Sequence, residues 1–214
     1  MTGTDTLGRM RDETIAQFLT QLAARVPTPG GGATAALHAA QSAALLAMVA
    51  RYSDGPKYAE HVALIDRIRT EADELVTGAL GLAEDDAAAF GAVGEAYKLP
   101  RDTDQDRDAR SAAIEAALAA AARPPADVVL AALRLAQLSA ELLPVANRNL
   151  LTDVGVAAES ARAAAVCAAL NIAVNAGSIK DDELHDQLRG TEALTGEITT
   201  ITDRVIAAVH REIS

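Results

Sequence analysis

The sequence predicts an all-α fold: a single domain of about seven mostly antiparallel helices, two of them long, spanning residues 1–214. Three observations carry that prediction. Half of the residues are hydrophobic, yet aromatics are only 2% and Trp is absent, so Ala, Leu, Val and Ile must fill the core. Such a core suits closely packed helices better than sheets. Apolar residues recur at three- and four-residue steps, the period of a helix with one buried face, and no stretch alternates as a half-buried strand does. At 214 residues the chain can bury one substantial core, and no linker, low-complexity tail or repeat divides it.

The elements follow in order. A first amphipathic helix is expected from Thr6 to Arg25, with Ile15, Phe18, Leu19 and Leu22 on one side. Pro27-Thr28-Pro29 then stops it, because proline lacks a backbone donor and restricts the residue before it. Gly30-Gly31-Gly32 leave the backbone bare at the entry to a second, small-residue helix that runs to Tyr52 and ends at Ser53-Asp54-Gly55-Pro56. A long third helix covers Tyr58 to Tyr97 and stops at Leu99-Pro100. The acidic linker Arg101 to Asp108 supplies N-caps for a fourth, ending near Arg123. Pro124-Pro125 open a fifth, which ends near Leu143-Pro144. Thr152-Asp153 cap a sixth running to Asn175, and Gly177-Ser178 break the chain before a long last helix from Asp181. Its stripe is Leu184, Leu188, Leu194, Ile198, Ile201, Val205 and Val209, with Thr191 filling a gap.

Charge and composition narrow the function. The formal charge is −11 and no block of basic residues stands out, which disfavours nucleic acid and anionic membrane as partners. Ala33 to Ala50 has roughly the length of a membrane span, but Thr34, His38, Gln41 and Ser42 interrupt it, so a buried helix is the better reading. The polar, acidic N-terminus lacks the apolar region of a signal peptide. A single cysteine excludes an intrachain disulfide and suits a reducing cytoplasm. Cys167 lies in the apolar run Ala163 to Leu170, where a buried structural thiol is expected rather than a nucleophile.

Several residues are candidates for chemistry. The glycine-rich entry exposes N–H groups at the positive end of a helix dipole, a seat for an anion or an electron-rich ring edge, although a tight interhelical turn with a small-residue packing helix also explains it. On the third helix the apolar row Ile65, Ile68, Ala72, Leu75, Ala79, Leu82, Phe90, Val93 and Tyr97 is completed by Asp86. That carboxylate should point inward, while Glu84 and Asp85 turn toward water. An inward carboxylate is costly unless bonded to a helix N-terminus or a cation, and buried carboxylates concentrate at working sites. Asn147 and Asn149 sit in a polar loop, where Asx residues often only satisfy the turn. Asn171 and Asn175 lie one turn apart on an apolar helix, suited to the donors and acceptors of a ring or to a helix–helix bond. Lys180 with Asp181 and Asp182 reads as a helix start. His38, His61, His185 and His210 form no metal-ligand spacing, so no metal is expected.

Taken together, these pieces resemble the formiminotetrahydrofolate cyclodeaminase / methenyltetrahydrofolate cyclohydrolase family. The matching segments are Pro29-Gly30-Gly31-Gly32 with Met48-Val49-Ala50, Asp86-Ala87-Ala88-Ala89-Phe90 and Ala96-Tyr97-Lys98-Leu99-Pro100. Asn147-Arg148-Asn149 with Asp153-Val154-Gly155-Val156-Ala157, Leu170-Asn171-Ile172 with Asn175, and Ile179-Lys180-Asp181 follow in the same order. The resemblance implies an all-α homodimer that binds folate near the subunit interface, in the cytoplasm, with no cofactor beyond the tetrahydrofolate substrate. It implies Asp86 and Lys180 as catalytic residues. Gly30, Gly31, Gly32, Lys98, Asn147, Asn149, Asp153, Asn171 and Asn175 are the implied substrate-binding residues. Without room for a formiminotransferase portion, the chain is expected to hydrolyse 5,10-methenyltetrahydrofolate to 10-formyltetrahydrofolate. The alternatives are a cyclodeaminase releasing ammonia and a non-catalytic helical dimer. Departures from the family pattern are Ala33 for a usual Ser, Ala146 for Gly, Thr152 for Ser, and His38 and Gln41 at positions commonly small. The last two are expected to narrow the cleft or alter its polarity.

Overall fold

The computed structural model describes residues 9–177, 179 and 181–213. Among them are seven α-helices: α1 (Ile15–Leu22), α2 (Gly31–Arg51), α3 (Val62–Lys98), α4 (Asp104–Ala121), α5 (Arg123–Leu142), α6 (Leu151–Ala176) and α7 (Asp182–Ile213). Short 3-10 turns occupy Met10–Asp12, Pro56–His61, Leu143–Val145 and Arg148–Leu150, and no strand occurs among the described residues.

Helix α2 is the centre, packed against α3, α5 and α6. Ala33, Ala35, Ala36, Ala39 and Ala43 are completely buried, and Leu46 and Val49 extend the same core. Alanine loses no side-chain entropy in a helix and keeps its neighbours close. Facing it on α6 is a second row of buried alanines, Ala157, Ala158, Ala161, Ala164, Ala165 and Ala168. The Ser42 hydroxyl crosses this seam to donate to the Ala157 carbonyl at 2.8 Å. Three stretches, including Gly31–Arg51, have the length and apolarity of a membrane span. In α2 that apolar surface is spent on the core of the bundle.

Side-chain pairings give the directions. The start of α2 meets Asp86 while Arg51 at its end meets Asp73, with nitrogen–oxygen distances of 2.7 and 2.9 Å, so α2 and α3 run antiparallel. Gly31 lies beside Asn171, whereas Ser42 meets Ala157, so α6 opposes α2 as well. Arg162 pairs with Asp203 at 2.9 Å and Arg148 with Glu212, which sets α7 antiparallel to α6. Between α3 and α5, Arg134 holds Glu71 and Glu141, and Arg67 reaches both carboxylates. Hydrogen bonding from Arg134 holds the Glu71 carboxyl below its ordinary range.

Several boundaries differ from the sequence reading. The first helix is shorter than Thr6–Arg25, and residues 1–8 lie outside the described part. Glu13 is extended and Thr14 starts a new helix through a capping box with Gln17. Of its expected inward face only Phe18 is buried, while Ile15 is 81% exposed. Helix α4 begins earlier than the acidic linker suggested, because Thr103 and Asp106 form a capping box inside that linker. Thr152 and Asp153 do not cap α6; they lie in its first turn, and Leu150 precedes them without a side-chain bond. Helix α3 also overruns the core. Ile65, Ile68, Ala72 and Ala79 of its stripe are buried, but Phe90 and Tyr97 are exposed. Cys167 is only partly buried, packed against the core cluster.

An interior assembled from methyl groups leaves no room for larger side chains. Ala39→Leu on α2 is expected to lower stability by about 1–3 kcal/mol or more, read as a lower urea midpoint with an unchanged m-value.

Candidate functional site

The candidate site forms where α3 crosses the first turn of α2. Gly30 precedes α2 in an extended conformation and supplies no side-chain cap. Its carbonyl accepts from the Thr34 amide at 3.1 Å and the Thr34 hydroxyl at 3.0 Å, closing the first turn. A helix entry without a side-chain cap leaves first-turn N–H groups for another acceptor. That acceptor is Asp86, which takes the Ala33 amide.

The approach is possible because Gly32 has no side chain. A Cβ there would overlap the Asp86 carboxyl carbon and both oxygens, far inside van der Waals contact. Gly31 differs: a Cβ would lie 3.7 and 3.8 Å from the amide atoms of Asn171, an ordinary contact. Nothing lies within 4 Å of the corresponding position on Gly30. Of the three glycines, Gly32 alone is required by space.

Burial pushes the Asp86 carboxyl above its ordinary value, and the Ala33 amide partly opposes the shift. The group is half-buried, and among the described residues no cation lowers it. Both readings of an inward carboxylate therefore hold: Asp86 is bonded to a helix N-terminus, and its acidity is still shifted as at a working site. Its neighbours behave differently. Asp85 faces water, but Glu84 does not: its carboxylate receives Arg11 Nε at 3.0 Å and Nη2 at 2.6 Å. This long-range pair fastens the N-terminal segment to α3.

Asn171 and Asn175 come to the same end of the bundle. Asn171 lies beside Gly31 and donates to the Cys167 carbonyl at 2.8 Å. Asn175 donates to the Ala121 carbonyl at 3.1 Å, tying the end of α6 to the end of α4. Each amide thus has a structural bond through its nitrogen. Lys180 lies outside the described residues; beside it, Asp181 caps α7 by accepting the Leu184 amide at 3.1 Å.

Other sequence candidates stand elsewhere within the chain. Lys98 is exposed, paired with Glu95 at 2.6 Å, and twelve residues of helix place it roughly 18 Å along α3 from Asp86. Asn147 belongs to the opposite end of α2. It donates to the Tyr52 carbonyl at 3.0 Å, and its oxygen accepts the Asn149 amide at 3.1 Å. Its own amide donates to the Ser53 hydroxyl at 2.9 Å, so the turn reading accounts for it. Asn149 and Asp153 share that end, separated from Gly32 by the length of α2, about 30 Å. His38 and Gln41 do not narrow the Asp86 region; they line a groove with Thr152, Glu159 and Ile213 on α6 and α7. Ala33 is completely buried, so its methyl replaces a hydroxyl inside the core rather than in an open cleft.

Residues 14–193 match the family described as Formiminotransferase-cyclodeaminase. The chain belongs to that family. A methenyltetrahydrofolate cyclohydrolase of Methylorubrum extorquens is 36% identical over 209 residues, covering 95% of this chain and 99% of the relative. The formimidoyltransferase-cyclodeaminase of Mus musculus is 31% identical over 176 residues, covering 80% of this chain but 32% of the mouse protein. The chain thus spans about a third of that longer relative. Among solved structures, a formiminotetrahydrofolate cyclodeaminase of Thermotoga maritima superposes with a TM-score of 0.85 at 26% identity, covering 95% of this chain and 99% of its own. The all-α family fold expected from the ordered motifs is therefore the fold observed.

The sequence could not show the Ala33 amide as the partner of Asp86, because a backbone donor leaves no side-chain signature. Nor could it show Arg11 with Glu84, residues 73 positions apart. Gly32→Ala is expected to force the carboxylate off the Ala33 amide and cost about 1–3 kcal/mol of stability, whereas Gly30→Ala is near neutral; urea denaturation of both variants checks this.

Proposed function

We propose that the protein is a methenyltetrahydrofolate cyclohydrolase, hydrolysing 5,10-methenyltetrahydrofolate to 10-formyltetrahydrofolate with Asp86 as the proton relay. The observation that carries this is the half-buried Asp86 carboxyl, set on the Gly32 turn, its pKa raised by burial and no cation paired with it among the described residues. The relative of the same length that bears this activity in its name adds support.

The chemistry suits one carboxylate. The bridging carbon of the substrate is an amidinium-like cation between N5 and N10, and an adjacent carboxylate stabilises it. Water adds to that carbon while Asp86 accepts one of its protons. Asp86 then returns this proton to N5 as the C–N5 bond breaks. The remaining hydroxyl proton leaves to solvent as the formyl C=O forms on N10. A carboxyl whose pKa lies above the ordinary range serves better in the return step than a fully solvated aspartate. In this reading Gly31, Asn171 and Asn175 position the substrate, and Lys180 joins Asp86 as a catalytic residue.

The reading extends to a cytoplasmic homodimer without nucleic-acid or membrane partners. Phe90, Tyr97, Leu170 and Val174 are 54%, 53%, 66% and 76% exposed, an apolar set suited to a second copy. A two-fold axis across the middle of α6 would bring Asn149 and Asp153 from one copy toward Asp86 of the other, because α6 spans both ends of the bundle. Lys98 would serve the anionic glutamate tail at the rim. The cyclodeaminase reaction is the second reading, favoured by the Thermotoga maritima structure covering nearly the whole chain. It uses the same carbon and expels ammonia.

Absorbance decay of 5,10-methenyltetrahydrofolate tests the proposal. Wild type should exceed the buffer blank, and Asp86→Asn should lose about 100-fold or more of kcat while binding survives, as expected for loss of a proton-transfer group. Wild-type decay equal to the blank, with ammonia released from 5-formiminotetrahydrofolate, would replace this reading by the second.

A further inference from the structure

A second feature beside the site has no role in the mechanism above. Between α1, α2 and α3 lies a cavity of about 380 Å³. Its walls are largely apolar, including Phe18, Leu37, Val76 and Leu80, and its polar members include Glu13 and Gln41. Glu13 Oε2 is buried from solvent and has no hydrogen-bond partner. A buried carboxylate oxygen without a donor is costly to the fold, and native proteins rarely leave one unexplained.

The position of the cavity suggests what it is for. Ala83 forms part of its wall, three residues before Asp86 on the same helix, a rise of roughly 4.5 Å. The Arg11–Glu84 pair clamps the segment carrying Glu13 to the same turn of α3 that carries Asp86. The two carboxylates, Glu13 and Asp86, are thus each two residues from one member of a single ion pair. The apolar walls suit a flat ring, and Glu13 offers an acceptor to a donor edge of that ring.

We propose that Glu13 recognises the 2-amino-4-oxo edge of the pterin ring, whose N3–H and 2-amino group present paired donors to a carboxylate. This rests on the folate reading of the Asp86 site and names the residue that selects the heterocycle. Gln41, on the same cavity wall, offers an amide donor for the 4-oxo group. Deleting the charge at Glu13 should weaken substrate binding far more than the chemical step.

The probes are pterin and lumazine, which differ in carrying an amino or an oxo group at position 2. Binding is read by ring fluorescence with wild type and Glu13→Gln. Wild type should bind pterin about tenfold or more tighter than lumazine, and the variant should lose that preference. In turnover the variant should raise KM about tenfold or more with a smaller change in kcat. Its Tm without ligand should be unchanged or higher, since a carboxylate oxygen without a partner has been replaced, which separates recognition from a merely structural role. Equal pterin preference in wild type and variant would overturn the inference even if the cyclohydrolase activity is present. Conversely, pterin selectivity that depends on Glu13 in a protein without turnover would uphold it while the proposed reaction fails.

Discussion

Asp86 can rest on the first turn of α2 only because Gly32 presents a bare backbone to it, and that approach in turn requires α3 to lie very close to α2. The alanine rows of α2 and α6 provide the closeness. Larger side chains at these positions would separate the helices and lift the carboxylate away from the Ala33 amide. The small-residue composition, the glycine-rich entry and the acidity of one aspartate are therefore consequences of a single packing constraint.

The same constraint explains why a carboxylate is tolerated there. Burial alone disfavours its ionised form, and one backbone N–H at a helix start offsets only part of that penalty. A cation would have removed the penalty altogether, as Arg11 does for Glu84 and Arg134 for Glu71, both held below the ordinary carboxylate range. Asp86 and Glu84 are two residues apart, yet their acidities move in opposite directions. Position on the helix decides this: one side chain meets the N-terminus of α2 and the other meets an arginine.

Much of this was legible in the sequence. Helical periodicity and the proline and glycine breaks located all seven helices, and the gap in the α3 stripe singled out Asp86. What the sequence lacked was the registration of distant segments. Asn147 looked like a ligand-binding amide of the same site, but it closes the turn at the far end of α2. Phe90 and Tyr97 continued a core stripe by period, but α3 extends past the helices that would cover them. His38 lies on α2 yet faces the α6–α7 side, because a helix turns 100° per residue and Gly32 faces α3. The N-terminal break at Glu13 was missed because the capping box at Thr14 was read as the interior of a longer helix.

The most direct test is a carboxyl carbon NMR titration of Asp86 in wild type and Gly32→Ala. In wild type the midpoint should lie above the ordinary aspartate value of about 3.9, since the folded state binds this proton more tightly than the unfolded chain. The ionised form then costs stability as pH rises through the interval between the two values. In Gly32→Ala, with the carboxylate displaced toward water, the midpoint should fall back toward 3.9. A wild-type midpoint at or below that value, unmoved by the substitution, would contradict the claim that close packing on Gly32 prepares Asp86 for proton transfer.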